Sequence, residues 1–289
     1  MSKSKLIYYR DCASKLIPYA VAASRRLRPK TRLEPLRLTN VGNEAASVSF
    51  DNSYNGGATI LQYRREEQQA FVDWNLSAIT IAPGEYVEFV GENYNTQGFL
   101  GKYTVTGDAV AASGNIMSLI YGAYTTRDAL VIPEGITFGG TEAAYISNLD
   151  GMFANCTCLT TAPKLPATTL TNKCYTRMFA GCTSLTVAPE LPATTLTNKC
   201  YMQLFSFCTS LTIAPKLPAT TLTYRCYDQM FTRCVRLETI SVRFIEWSRA
   251  TLDWVRDVSD TGVFTCPSEL DTTQRGVDYI PEGWTIVPV

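Results

Sequence analysis

The chain has 289 residues, with 26 Lys and Arg against 26 Asp and Glu, so its formal net charge is zero. That balance argues against a uniformly charged binder of nucleic acid or membrane, and a 46% share of hydrophobic residues excludes a disordered chain. Histidine is absent, which removes Ser-His-Asp and Cys-His nucleophiles, the HExxH zinc helix and every His-ligated metal site.

The zero balance hides an asymmetry. Residues 1–32 hold nine basic residues against Asp11 alone, a net of +8, so residues 33–289 sum to −8. Residues 1–34 therefore read as a basic arm, with Arg10, Arg25, Arg26, Arg28 and Arg32 as anchoring cations. Leu6, Ile7, Tyr8, Tyr9, Leu16 and Ile17 interleave with the charges, which favours docking onto a larger assembly over a bare electrostatic tether. The apolar run Leu6–Tyr9 stops at Arg10-Asp11, short of the roughly 7–15 residues of a secretory signal, so no signal peptide is recognisable. No stretch approaches the ~20 apolar residues of a membrane span.

Residues 35–125 read as short strands at Leu36–Val41, Ala46–Phe50, Ala58–Arg64, Ala70–Trp74, Ala78–Ile81, Tyr86–Val90 and Tyr103–Thr106. Turn signals at Asn55-Gly56-Gly57 and Pro83-Gly84 separate them, and the pattern predicts an antiparallel β-sandwich. Tyr63, Trp74, Tyr86 and Tyr94 are available to a ligand, although core packing is the commoner use of such residues. The series Asp51-x-Ser53-x-Asn55-Gly56 begins like a calcium loop, but Gln62 stands where Glu is required, which excludes an EF-hand. With no Walker motif and no G-x-G-x-x-G, no cofactor is expected.

Residues 126–246 carry an internal repeat of period 26. NLDGMFANCTCLTTAPKLPATTLTNK (from 148) is followed by CYTRMFAGCTSLTVAPELPATTLTNK, CYMQLFSFCTSLTIAPKLPATTLTYR and a fading copy from Cys226. Phe153, Phe179, Phe205 and Phe231 hold one column, Cys156, Cys182, Cys208 and Cys234 a second, and Leu159, Leu185, Leu211 and Leu237 a third. Apolar Cys174, Met178 and Cys182 at i, i+4 and i+8 predict one short helix per copy, N-capped at Thr171. Leu185-Thr186-Val187 then alternates like a strand, and Pro189 and Pro192 force an extended corner. A degenerate first coil at Tyr124–Gly139 and a helix at Glu142–Phe153 precede the first copy. Residues 247–289 read as a cap with a helix at Ser248–Val258 and strands at Phe264 and Trp284–Val287. The expected fold class is thus α+β: an N-terminal antiparallel β-sandwich, a short α/β solenoid and a C-terminal cap.

Of the 10 cysteines, seven fall in two repeat columns. They read as a ladder of reduced, buried thiols, because Cys174 and Cys182 on one helix would stand about 12 Å apart, beyond disulfide reach. Cys156-Thr157-Cys158 is only C-x-C and lacks the paired C-x₂-C of a zinc site, so no metal is expected.

The core triplet C-x-x-L-x-V is similar to the L-x-x-L-x-L of leucine-rich repeats. The longer string C-Y-x-x-M-F-x-x-C-T-S-L-T-x-A-P-x-L-P-A-T-T-L resembles the BspA-like leucine-rich repeat surface proteins of Bacteroides-type bacteria and their phages. The segments Ala112–Gly122 and Ile280–Trp284 look like companions of those repeats. The resemblance implies a non-enzymatic recognition or adhesion protein that binds host-surface proteins or glycans. Its partner-binding candidates are the positions that vary between copies: Arg177, Gln203, Phe207, Gln229 and Arg233. A basic arm in place of an export signal favours a phage virion protein at the virion surface, anchored to other virion proteins. The alternatives are a structural virion decoration or fibre, and a secreted bacterial cell-surface adhesin. A virion role implies a homo-oligomer, although no symmetric seam is legible. Catalysis is not expected: Glu66 and Glu67 are adjacent and would face opposite sides of a strand.

Overall fold

Alternating burial builds the front of the molecule. In the computed structural model, which describes residues 31–53, 59–93, 100–122, 124–125, 131–132, 136–137, 145–146 and 149–289, Leu36 and Leu38 of β2 (Leu36–Asn40) point into the core while Arg37 and Thr39 face outward. In order, β13 (Leu159–Thr161), β9 (Val110–Ser113), β2, β7 (Tyr86–Val90), β4 (Gln62–Arg65) and β5 (Val72–Asp73) make a six-stranded sheet. Every pair in it is antiparallel except β13 with β9. A second sheet runs β6 (Ile79–Ile81), β3 (Ala46–Asp51), β8 (Lys102–Gly107), all antiparallel. Phe50, Trp74, Phe89 and Tyr103 meet between the two sheets, with Phe50 edge-on to Tyr103 at 4.8 Å and Trp74 against Phe89 at 4.9 Å. Two short antiparallel pairs lie nearby in sequence: β1 (Thr31–Arg32) with β10 (Tyr124–Thr125), and β11 (Ile136–Thr137) with β12 (Tyr145–Ile146). At the far end, β14 (Thr239–Ser241), β15 (Val263–Cys266) and β16 (Thr285–Pro288) form a parallel three-stranded sheet.

The expected α+β class is overturned. Among the described residues the fold is mostly β, spread over several sheets, none of which forms a solenoid. The one α-helix described, Ser118–Tyr121, is a single turn in the front region.

The repeats show why helices do not form. In the second copy the amides of Cys174, Thr176, Met178, Ala180 and Cys182 each donate to the carbonyl three residues back, at 3.0–3.3 Å, and each closes a four-residue turn. The residues between them, Lys173, Tyr175, Arg177, Phe179 and Gly181, donate instead to Asn198, Cys200, Met202, Leu204 and Ser206 of the next copy, at 2.8–3.0 Å. An α-helix directs every amide four residues back along its own chain and keeps φ negative throughout. Here half the donors leave sideways, and every fourth residue has φ between +54° and +75°. The result is a ribbon of overlapping turns stitched to its neighbour. The third copy repeats it, with Tyr201, Gln203, Phe205 and Phe207 donating to Cys226, Asp228, Met230 and Thr232.

Other expected elements change as well. The helix expected at Ser248–Val258 is a 3-10 turn, Arg249–Thr251, capped by the Ser248 hydroxyl, followed by turns with Asp253 and Asp257 at positive φ. At Glu142–Phe153, Tyr145–Ile146 is strand and Leu149–Phe153 is turn. The strand expected at Leu185–Val187 shrinks to one parallel bridge between Val187 and Thr161. Leu185 is buried, but Val187 is 58% exposed and its counterpart Ile213 61%, so the third slot of the leucine-rich triplet does not enter the core. Glu66 and Glu67 sit exposed in the turn after β4.

Two aromatic columns run through the stack. Tyr103 of β8 lies parallel on Phe153 at 5.1 Å, and Phe153, Phe179, Phe205 and Phe231 follow at 5.8–5.9 Å, their rings nearly parallel. Tyr175, Tyr201 and Tyr227 stack beside them at 5.9–6.1 Å. All are fully buried, at spacings that suit offset stacking. All nine described cysteines are free thiols. The thiols of Cys182, Cys208 and Cys234 donate to the carbonyls of Phe153, Phe179 and Phe205 at 3.0–3.2 Å, so this column links copies as well as filling space. Burial pushes the Cys234 thiol up to about 12, which keeps it protonated and able to donate.

Phe205→Ala removes a ring with stacked neighbours on both sides and should destabilise the fold by about 3–5 kcal/mol. Tyr201→Phe keeps its ring and deletes a buried hydroxyl that has no hydrogen-bond partner among the described residues, so stability should hold or rise by about 1 kcal/mol. Denaturant titration of the two variants checks both.

Candidate binding face

The turn ribbon decides which side chains leave the core. Within each copy the residues of the turns pack inward, and the left-handed residue at every fourth position, buried Lys173 excepted, is exposed or half-buried. These positions are Lys173, Arg177 and Gly181, then Lys199, Gln203 and Phe207, then Arg225, Gln229 and Arg233. A left-handed backbone costs an L-residue roughly 1–2 kcal/mol, and glycine is the usual answer. Only Gly181 of the nine is glycine; a Cβ there would lie 2.3 Å from Oδ1 of Asn155. Phe207 occupies the equivalent place one copy later with φ +62°, a conformation that is an outlier for a bulky residue.

All five residues expected from copy-to-copy variation stand on these columns, and the structure brings several of them together. Gln203 Nε2 donates to Gln229 Oε1 at 2.9 Å. The guanidinium of Arg233 lies 5.1 Å over the ring of Phe207, and its Nε is 3.5 Å from Asp257. Arg177 reaches Asp150 at 3.3 Å. Phe207 remains 45% exposed, and Tyr224, also exposed, carries Lys199 over its ring at 5.5 Å. Arg177, Phe207 and Arg233 are exposed, whereas Gln203 and Gln229 are half-buried by their mutual bond. Tyr224 stands in a column that reads Asn172, Asn198, Tyr224, so variation between copies does mark it, whereas Asp257 lies beyond the last full copy.

Arg10, Arg25, Arg26 and Arg28 of the arm lie outside the described residues, as do Tyr94 and most of Tyr124–Gly139. Arg32 is described, exposed in β1. Of the front aromatics, Trp74 is buried in the core and donates to the Ser77 carbonyl at 3.0 Å, while Tyr86 lies under the guanidinium of Arg37 at 4.0 Å.

Two carboxylates beneath the ribbon are electrostatically costly. Burial raises the pKa of Asp150 above the ordinary carboxylate value, and Arg177 only partly opposes it. Burial likewise raises that of Asp228, whose Oδ2 is paired with Arg225 while its buried Oδ1 has no partner among the described residues. Met202 and Thr176 fill the same position one and two copies earlier without a charge, the Thr176 hydroxyl donating to the Lys199 carbonyl at 3.0 Å.

No helix among the described residues is long and apolar enough to cross a membrane. No protein-family model, no curated protein and no solved structure matches the chain.

Phe207→Gly should leave stability unchanged or raise it by about 1 kcal/mol, because an exposed ring is lost and a left-handed backbone is relieved; thermal and denaturant midpoints measure it. Asp228, with its folded pKa raised, binds a proton more readily in the folded state than in the unfolded chain. Its contribution to stability is therefore greatest at low pH and declines as pH rises from about 4 through the folded value. Asp228→Asn should remove that decline, seen as a flatter dependence of the denaturation midpoint on pH.

Proposed function

We propose that the chain is a non-enzymatic recognition protein whose turn-ribbon face binds a host-surface protein or glycan, with the basic residues 1–34 serving as its anchor to a virion or cell surface. The observation that carries this reading is the pairing of a constant frame with changing occupants. Backbone bonds, stacked rings and thiols repeat from copy to copy, while the outward left-handed positions read Arg, Gln, Gln in one column and Gly, Phe, Arg in the next. Strain at an exposed aromatic costs stability, so its presence there fits a contact role. Phe207 beneath Arg233 has the composition of an interface anchor, where aromatic and arginine side chains carry most of the binding energy. The stacked frame holds these groups in place before a partner arrives, which lowers the ordering cost of binding.

The test is binding of the full chain to arrays of host-surface glycans and proteins, compared with a Phe207→Gly, Arg233→Gln double variant. The expected result is selective binding that falls about tenfold or more in the variant, with its melting midpoint retained. Absence of binding across both arrays, or equal binding by the variant, overturns the proposal.

A further inference from the structure

A second site lies on the opposite side of the front sheet from the core, and it is built from charge. Arg64 of β4, Glu88 of β7, Arg37 of β2 and Ser113 of β9 stand in one cross-strand row, each in register with its neighbour. Glu88 is only 3% exposed. Its Oε1 accepts from Nη2 and Nε of Arg37 at 2.6 and 3.1 Å, and its Oε2 from Nε of Arg64 at 2.6 Å. One carboxylate thus holds two guanidinium groups, and one of their positive charges is left over.

Beside this row runs a groove of about 610 Å³, lined by Arg32, Glu34, Arg37, Arg64, Ser113 and Lys164 together with Glu88 and the backbone at Pro35 and Gly114. Lys164 pairs with Glu34 at 2.5 Å. The Arg32 side chain has no hydrogen-bond or ion-pair partner among the described residues. Four cations therefore face two carboxylates, and two positive charges stay unneutralised along one wall. Gly114, at φ +76°, lets the end of β9 approach the segment that leads into β2: a Cβ there would fall 1.8 Å from the Pro35 carbonyl oxygen. The volume is that of a small-ligand site, and the guanidinium fork matches the geometry of oxyanions.

We propose that this groove binds a dianionic oxyanion group, a sulfate, a phosphate or a pair of carboxylates, free or carried on a larger molecule. Glu88 acts as the buried buttress that orients Arg37 and Arg64. Arg32 and the surplus guanidinium charge of the Arg37–Glu88–Arg64 row supply the charge that the ligand neutralises, Lys164 adds a cation balanced by Glu34, and Ser113 offers a hydroxyl. Two unneutralised charges set the preference: dianions bind and monoanions of similar size do not. This inference does not rest on the turn-ribbon face and stands or falls separately.

The experiment is calorimetric titration of the full chain at low ionic strength with inorganic sulfate, inorganic phosphate and succinate. Acetate serves as the monoanion control, and a sulfated oligosaccharide distinguishes a carried group from a free ion. The comparison protein is an Arg32→Gln, Lys164→Gln variant, whose two side chains are exposed and whose melting midpoint in the absence of anion should match the parent. The expected result is binding of at least one dianion in the millimolar range or tighter, weakened about tenfold in the variant, with acetate inert. No dianion binding up to about 50 mM, equal response to acetate, or undiminished binding by the variant (as the basic arm alone would give) overturns it.

Discussion

The column of stacked rings that starts at Tyr103 and passes through Phe153, Phe179, Phe205 and Phe231 is the constraint on which the other features depend. A ring of that area buried at each level sets the vertical spacing of the copies. Once the spacing is set, every second amide of a copy lies opposite a carbonyl of the next, and the bonds between copies follow. The column begins inside the front sheets, because Tyr103 is also packed against Phe50 and Phe89. Front strands and repeats consequently share one core. At the other end Trp254 and Phe244 meet the columns at steep angles and close them.

The same stitching explains the outward face. A chain that sends alternate amides sideways must turn back on itself every four residues, and the turn places one residue per four in the left-handed region. That residue is the one whose side chain escapes the core. Recognition chemistry can then change at those positions without disturbing the ladder beneath, since the ladder uses backbone groups, rings and thiols. The charge row on the front sheet follows a similar logic: strand alternation puts Val87 and Phe89 inward, so Glu88 between them projects to the far face, where β2 and β4 each offer an arginine in register.

Much of the repeat is legible in the amino-acid string. The 26-residue period, the phenylalanine, cysteine and leucine columns, their burial and the five variable residues all read directly from the string. The helix was the misreading, and its cause is specific. Tyr175, Met178, Phe179 and Cys182 stand at i, i+3, i+4 and i+7 like one face of a helix, yet Cys174, Met178 and Cys182 are also spaced by four, as are Tyr175 and Phe179. A four-residue turn repeat satisfies that spacing without drift, whereas a helix rotates away from it. The positive φ at Arg177, Gln203 and Phe207 left no trace, because glycine occupies only one of these places. Most front strands were visible as alternation, but β9 was missed: Val110–Ser113 is short and rich in alanine.

Composition and periodicity by themselves determined that the chain buries a repeated apolar frame, that histidine chemistry is absent, and which positions vary along that frame. Those are properties of residue type and spacing, so one dimension holds them. Tertiary structure decided where each backbone amide donates, and that choice converted expected helices into stitched turns. It also decided that Arg37, Arg64 and Glu88, separated by up to 51 residues, form one charged row. The physical reason is the same in both cases: a hydrogen bond or ion pair between segments depends on register, and register exists only after the segments have packed.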